Sequence, residues 1–173
     1  MNTYKIGLGG DVVEYRCFVG SRKIVYLKAT MATYLELGRR LHASYGCSVI
    51  CVLGFGSTGA DERIIADFIQ RHNLADAELF YVSHAKGYFD GLELAGGGVS
   101  FKKMVFVNMP LDEKFDNVLA QLNAIPETKI VTIFAEKVHF CESILLLKNV
   151  DVIKTRDAYH SCKIAIDKFK ELE

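Results

Sequence analysis

A short run of small and polar residues joins a strand-like segment to a helix-like segment near the middle of the chain. The apolar segment Leu79–Val82 has the length of a buried strand, and the turn Ser83–Gly87 follows it directly. Apolar side chains then recur at helical spacing from Tyr88 to Ala95. A strand that passes through a tight turn into a helix is the unit from which parallel α/β sheets are built, so this segment favours that fold class.

Apolar and amphipathic segments alternate along nearly the whole chain, and the pattern predicts eight strands. The turn Gly9-Gly10-Asp11 predicts an antiparallel hairpin between the first two strands. Helical segments connect the later strands, which predicts a mostly parallel remainder of the sheet. The predicted strands are Tyr4–Leu8, Val12–Val19, Lys23–Lys28, Ser48–Leu53, Leu79–Val82, Met104–Asn108, Lys129–Phe134 and Val150–Lys154.

The helical segments predict layers on both faces of this sheet. The strand Ser48–Leu53 is almost wholly apolar, as expected of a strand that helices cover on both sides. The fold class is therefore α/β, a three-layer α/β/α sandwich. The predicted helices are Met31–Tyr45, Asp61–His72, Tyr88–Ala95, Glu113–Asn123, Phe140–Leu147 and Lys163–Leu172.

Composition limits the classes of function. The chain has 173 residues, 50% of them apolar, which predicts a single domain over residues 1–173. Basic and acidic residues both number 21 and form no basic stripe, so we expect no nucleic-acid partner.

No apolar run has the length of a membrane helix and no secretory signal is visible, so we expect no membrane partner and a cytoplasmic location. The five cysteines are scattered, which predicts reduced thiols and no metal site.

Four short motifs occur in a fixed order along the chain, each following a predicted strand. They are Leu53-Gly54-Phe55-Gly56-Ser57, Ser83-His84-Ala85-Lys86-Gly87, Phe134-Ala135-Glu136-Lys137-Val138 and Asp157-Ala158-Tyr159-His160-Ser161. Together with the order of strands, they resemble the α/β-hydrolase fold family over nearly the full chain. The connection from Asn108 to Glu113 is too short for the cap domain that many members of this family insert.

The resemblance implies a position for each member of a catalytic triad. The second motif is similar to the nucleophile elbow Gly-x-Ser-x-Gly, in which Ala85 takes the place of the serine. Val138 takes the position of the acid, and His160 takes that of the histidine. The loop after the third strand reads Lys28-Ala29-Thr30, where the family usually has His-Gly. The resemblance therefore implies a hydrolase architecture that has lost hydrolytic catalysis.

A protein of this kind is expected to act by binding, either a small acyl ligand or a protein partner. The expected binding residues surround the elbow, and no cofactor is expected. They are Lys28, Ala29, His84, Ala85 and Lys86. The sequence is compatible with assembly of the chain into a homo-oligomer.

Two alternative functions remain open, one catalytic and one of nucleotide binding. A displaced set of Ser83, His160 and Glu136 would make the chain a small serine esterase or thioesterase, because a triad is defined by geometry and not by sequence position. Alternatively, Gly54–Gly59 fits Gly-x-Gly-x-x-Gly between a strand and a helix, which is the setting of a nucleotide-binding loop.

Overall fold

The computed structural model describes residues 1–29, 33–54, 58–109, 115–135 and 142–172. Its eight strands are β1 (Asn2–Leu8), β2 (Asp11–Phe18), β3 (Ser21–Ala29), β4 (Cys47–Leu53), β5 (Glu78–His84), β6 (Phe101–Val107), β7 (Lys129–Ala135) and β8 (Val150–Thr155). The α-helices are α1 (Thr33–Tyr45), α2 (Thr58–Arg71), α3 (Gly87–Gly96), α4 (Phe115–Asn123) and α5 (Ala158–Asp167). Two 3₁₀ segments cover Glu142–Leu146 and Lys170–Leu172.

All eight strands form one sheet in the order β1-β2-β4-β3-β5-β6-β7-β8. The neighbours β1 and β2 are antiparallel, as are β2 and β4, and every other pair is parallel. Gly9 and Gly10 both have positive φ, 57° and 108°, which closes the turn between β1 and β2. The predicted mostly parallel sheet with an antiparallel N-terminal hairpin is thus confirmed.

Side-chain alternation along the strands divides the core into two layers. One layer, which we call the α3 face, packs helices α2, α3 and α4 against the sheet. The other layer, which we call the α5 face, packs α1 and α5 against its opposite side. On β5, Tyr81 belongs to the α3 face, whereas Phe80 and Val82 belong to the α5 face. This assignment fixes the direction of the side chains at the carboxyl end of the sheet.

The last helices differ from the prediction. Helix α5 begins at Ala158, five residues before the predicted start at Lys163, so His160 lies in its first turn and not in a loop. Hydrogen bonds that local sequence patterns do not reveal start the helix early: the Ser161 hydroxyl donates to the Asp157 carbonyl at 2.9 Å and lies 2.6 Å from the Thr155 hydroxyl. The segment Glu142–Leu146 is a 3₁₀ helix, where an α-helix was predicted.

Gly91 on α3 provides a test of how closely this helix packs on the sheet. A Cβ at Gly91 would lie 2.5 Å from the ring of Tyr81 and 2.9 Å from Cε of Met104, both fully buried side chains. We therefore expect Gly91→Ala to destabilise the fold by about 1–3 kcal/mol, the usual cost of overpacking a core.

Gly96 in the same helix supplies the matched control. A Cβ there meets nothing within 4 Å, so Gly96→Ala should leave the free energy of unfolding unchanged or slightly raised. Urea unfolding of both variants measures the difference. Equal stabilities would show that α3 does not approach the sheet as closely as described.

Candidate functional site

The turn between β5 and α3 lies at the carboxyl edge of the parallel strands, with Ala85 at its apex. Ala85 has φ 51°, in the left-handed region, which costs a residue with a Cβ about 1 kcal/mol. Its N–H donates to the Val107 carbonyl on β6 at 3.0 Å, which ties the apex to the neighbouring strand. The following residue, Lys86, is exposed and directly precedes α3 without a side-chain capping bond. The structure therefore contains a strained strand–turn–helix at the position that the sequence predicted.

A second residue with positive φ holds the same edge together. Asn108, with φ 51°, directly follows β6, and asparagine tolerates this conformation better than most residues. Its N–H donates to the Ile133 carbonyl at 2.7 Å, and its side-chain Oδ1 accepts from the Ala135 N–H at 2.8 Å. These bonds join β6 to β7 where both strands end. The ends of β5, β6 and β7 are thus linked into one frame around Ala85.

Beneath this turn, on the α3 face, lies a buried cluster of charges. Lys28 near the end of β3 pairs with Asp61 of α2 and, at 2.9 Å, with Asp90 of α3. The three side chains are only 3%, 2% and 7% exposed. Both aspartates lie in the first turns of their helices. We call Lys28, Asp61 and Asp90 the charge cluster; it joins one strand to the starts of two helices.

Two tyrosines form hydrogen bonds beside the charge cluster. The Tyr26 hydroxyl donates to Oδ1 of Asp61 at 2.6 Å, and the Tyr81 hydroxyl donates to the Gly87 carbonyl at 2.6 Å. The two rings stack with their centroids 6.0 Å apart. Because Gly87 begins α3, the bond from Tyr81 anchors this helix to β5 within two residues of Ala85.

Burial raises the pKa values of Asp61 and of the two tyrosines. It raises the pKa of Asp61 above that of an ordinary aspartate, while the charge of Lys28 and its hydrogen bond act in the opposite direction. Burial also raises the pKa of Tyr26 and of Tyr81 well above that of an ordinary phenol. Both tyrosines are therefore neutral hydrogen-bond donors at physiological pH.

Ser83, the hydroxyl nearest the elbow, belongs to the charge-cluster side of the sheet. It pairs in register with Lys28 on β3, is 3% exposed and lies beside the Tyr81 hydroxyl. Helix α5, which carries His160, packs on the opposite face. The structure therefore does not bring Ser83 to the face on which the helix of His160 lies.

His84 points to the α5 face, next to Ala85. Its half-buried ring stacks on Tyr34 of α1, with 4.4 Å between centroids and 25° between planes. Cys162 of α5 lies beside the Tyr34 hydroxyl. Burial lowers the pKa of His84, so its ring is neutral at physiological pH, and burial raises the pKa of the Cys162 thiol. We call Tyr34, His84 and Cys162 the edge patch.

The other predicted binding residues differ in their availability. Lys28 and Ala29 are 2% and 0% exposed, and the Lys28 ammonium is already paired within the charge cluster. Ala85 is half-buried and Lys86 is exposed. Of the binding residues predicted from sequence, the structure thus leaves His84, Ala85 and Lys86 accessible to a ligand.

Several predicted positions lie outside the described residues or only partly within them. Glu136, Val138 and most of the connection between Asn108 and Glu113 are not among the described residues, and of His160 only the backbone is. In the glycine-rich motif, Gly54 has φ 115° and Gly59 lies in α2, while residues 55–57 are outside the described ranges.

Sequence reasoning missed both clusters. Asp61 and Asp90 look like solvated charges at helix starts, and Tyr34 and Cys162 look like ordinary core residues. One signal was present in the sequence: Lys28 directly follows the apolar run Ile24–Leu27, and a charge buried at that place requires a partner.

Across the described ranges, no three His, Cys, Asp or Glu side chains are grouped so as to hold a metal ion. Within the same part of the chain, no helix combines the length and apolar character needed to cross a membrane.

Comparisons by sequence and by structure give different results. No protein-family model matches the chain, and no curated protein matches its sequence. Solved structures match over almost the full length. An esterase domain of a Rhodothermus marinus protein aligns with TM-score 0.71 and 11% identity, covering 96% of this chain and 95% of that chain. A thioesterase domain from the curacin biosynthetic pathway aligns with TM-score 0.71 and 13% identity, covering 99% and 98%.

A third structure, a putative α/β hydrolase from Agrobacterium tumefaciens, aligns with TM-score 0.71 and 8% identity, covering 98% of this chain and 95% of that chain. Together with the strand order, these matches show that the chain has the α/β-hydrolase fold, as its sequence motifs implied.

The charge cluster yields a stability prediction. Lys28→Met removes the ammonium that pairs with two buried carboxylates, so we expect a loss of about 3–5 kcal/mol in the free energy of unfolding. Adding Asp61→Asn and Asp90→Asn to this variant removes both charges and should restore much of the loss. Urea unfolding at pH 7 measures both effects.

Lys5→Met is the control, because Lys5 is 67% exposed and lies 3.9 Å from Glu14. Removing that surface pair should cost at most about 1 kcal/mol. If Lys28→Met were as mild as Lys5→Met, the charge cluster would not be the buried ionic contact described.

Proposed function

We propose that this chain is a hydrolase-fold protein without hydrolytic chemistry, and that it binds a small acyl compound at the carboxyl edge of its sheet. One observation carries the proposal: Ala85 occupies the left-handed apex between β5 and α3. In this fold the apex presents the nucleophile to the substrate. The Ala85 methyl group has no lone pair with which to attack a carbonyl carbon, so the first step of acyl transfer has no attacking atom there.

Other substitutions support the same conclusion independently. At the sequence position of the triad acid the chain has Val138, which cannot orient a histidine by a charge-assisted hydrogen bond. After β3 the chain has Lys28 and Ala29 in place of the family's His-Gly, and the ammonium of Lys28 is directed into the charge cluster. Loss of the nucleophile is thus accompanied by changes at two further positions of the catalytic pattern.

The proposed ligand class follows from the fold and from the accessible residues. The matched structures are named as an esterase and a thioesterase, and esters and thioesters share an acyl group. Beside Ala85, the half-buried ring of His84 stacks on the buried ring of Tyr34 and presents an aromatic edge suited to an alkyl chain. The exposed ammonium of Lys86 stands next to it and suits a polar or acidic head group.

A displaced esterase site of Ser83, His160 and Glu136 is the competing proposal. The esterase and thioesterase neighbours favour it, since they share the fold. The burial of Ser83 on the α3 face weighs against it, because α5 packs on the other side of the sheet. A substrate would have to reach a hydroxyl that is 3% exposed beneath α3.

A nucleotide site at Gly54–Gly59 has less support. In such sites the phosphate takes the N-terminal end of the following helix. The first turn of α2 already carries the carboxylate of Asp61, which Lys28 pairs with. A negative group at that position repels a phosphate.

A short ester tests the proposal. We expect 4-nitrophenyl butyrate to bind, as detected by saturation-transfer NMR, while its hydrolysis stays at the rate of the buffer alone. Ala85→Phe fills the space above the apex and should abolish the binding signal. Ala124→Phe, at an exposed alanine just beyond α4 at the opposite edge, should leave it unchanged.

Either of two results would contradict this account. Hydrolysis by the unmodified chain well above the buffer rate would show that a catalytic group exists. Equal binding by the Ala85→Phe and Ala124→Phe variants would place any acyl site away from the turn.

A further inference from the structure

The amino edge of the sheet, at the other end of β5 from the Ala85 turn, contains a small cavity lined by lysines. Its volume is about 250 Å³, which is below the range of cavities that hold drug-sized ligands and suits a small ion or group. The lining residues are Glu78 and Phe80 of β5, Lys102 and Lys103 of β6, Lys129 of β7, and Glu171. We call this cavity the amino-edge site; its three ammonium groups favour an anion as occupant.

A bulge in β6 allows two consecutive lysines to line the same cavity. Successive side chains of a regular strand point to opposite faces of the sheet. Two consecutive residues of β5 pair with Phe101 and Lys103, so Lys102 is an extra residue between the two pairs. Bulges redirect side chains in this way and are common beside functional sites. The backbone of β6 thus brings the side chains of both Lys102 and Lys103 to the amino-edge site.

The strand register places two of these lysines side by side. Lys103 of β6 pairs with Lys129 of β7, and paired residues of neighbouring strands carry their side chains on the same face of the sheet. Like charges at directly opposite positions repel and destabilise a sheet. The side chain of Lys103 is only 6% exposed, so water screens its charge poorly. The register of the sheet therefore creates a position that an anion stabilises.

The carboxylate of Glu171 provides an anion at this position. It accepts a hydrogen bond from the Lys103 ammonium and also interacts with the charge of Lys129. Burial raises the pKa of the Glu171 carboxyl, but the hydrogen bond from Lys103 and the charges of both lysines lower it by more, so the pKa lies below that of an ordinary glutamate. Glu171 is therefore ionised at physiological pH and acts as an internal anion.

The side chain of Glu171 is free to rotate away while the chain around it stays packed. It is 48% exposed, whereas Phe169 and Leu172 on either side are buried in the core of the α5 face. The Lys103 ammonium also donates to the main-chain carbonyl of Lys168 at 2.5 Å. That bond does not involve the Glu171 side chain, so it holds the ammonium in the cavity after the carboxylate has left.

We propose that the amino-edge site binds a dianionic phosphate group, which takes the place of the Glu171 carboxylate on Lys103 and Lys129. With Glu171 turned away, three lysines and Glu78 line the cavity, a balance of two positive charges. A phosphate monoester carries about −1.5 to −2 charges at pH 7 and three acceptor oxygens, which matches this balance better than a carboxylate does. The proposal is independent of the proposed function, because the acyl site lies at the opposite edge of the sheet.

Isothermal titration calorimetry with methyl phosphate at low ionic strength tests the site. We expect saturable binding at one site, and binding of acetate that is weaker by about tenfold because acetate carries a single charge. Lys129→Met removes an exposed ammonium of the site and should weaken methyl phosphate binding by about tenfold or more. Lys5→Met, at an exposed lysine of β1, is the matched control and should leave the affinity unchanged. Equal affinities in the two variants would overturn the proposal.

Glu171→Gln distinguishes a ligand site from an ion pair that serves only the fold. The variant keeps the size of the side chain and removes the competing charge, so the affinity for methyl phosphate should rise by roughly tenfold. An unchanged or lower affinity would show that Glu171 does not occupy the phosphate position, and the proposal would be wrong. The same holds if neither the unmodified chain nor Glu171→Gln binds methyl phosphate.

Inorganic phosphate, titrated in parallel, identifies the source of the phosphate group. Tighter binding of methyl phosphate supports a phosphorylated compound as the ligand, and equal or tighter binding of inorganic phosphate supports the free ion.

Discussion

The pairing of Lys28 with Asp61 and Asp90 is the contact on which the carboxyl edge of this molecule depends. A lysine at the end of a buried strand is tolerated only with a hydrogen-bonded partner, and here each partner lies in the first turn of a different helix. The pairing therefore fixes how α2 and α3 approach the sheet. Tyr81 reinforces it by bonding to Gly87, the first residue of α3. The position of the turn that carries Ala85 follows from these contacts.

The turn after β5 has a strained backbone at Ala85, but it lacks the serine hydroxyl that this backbone presents to the substrate in hydrolases. A left-handed alanine costs about 1 kcal/mol, and such conformations persist where the surrounding structure determines them. In this molecule the determinants are the bond from Ala85 to Val107, the frame at Asn108 and the charge cluster below. None of these contacts involves a catalytic group. The architecture of the elbow is thus maintained by contacts that are separate from hydrolytic chemistry.

The sequence predicted those parts of the fold that depend on local pattern. Eight apolar runs predicted eight strands, Gly9 and Gly10 predicted the hairpin, and the small residues from Ser83 to Gly87 predicted the turn after β5. Each of these signals is short in range, because turn conformation and strand burial are encoded by neighbouring residues. The family resemblance, carried by the order of four motifs, predicted the topology that the structural matches show.

The features missed from sequence depend on contacts between distant residues. Asp61 and Asp90 lie 33 and 62 positions after Lys28, and nothing in the spacing of these residues reveals that they meet. Tyr34 and Cys162 come together across two helices in the same way. The early start of α5 depends on hydrogen bonds among Thr155, Asp157 and Ser161. These bonds hold in a helical turn the residues for which the sequence predicted a loop. Local pattern therefore predicts where the turn after β5 lies but not which side chains surround it.

The most direct test of the central claim is the intact mass of the protein after treatment with a fluorophosphonate, which forms a covalent adduct with activated serines. The absence of a nucleophile at Ala85 predicts that the mass stays unchanged, including after prolonged exposure. A Ser83→Ala variant treated in parallel identifies the site of any reaction. A single adduct on the unmodified chain that is lost in this variant would contradict the account, because it would show that a working serine lies beneath the elbow.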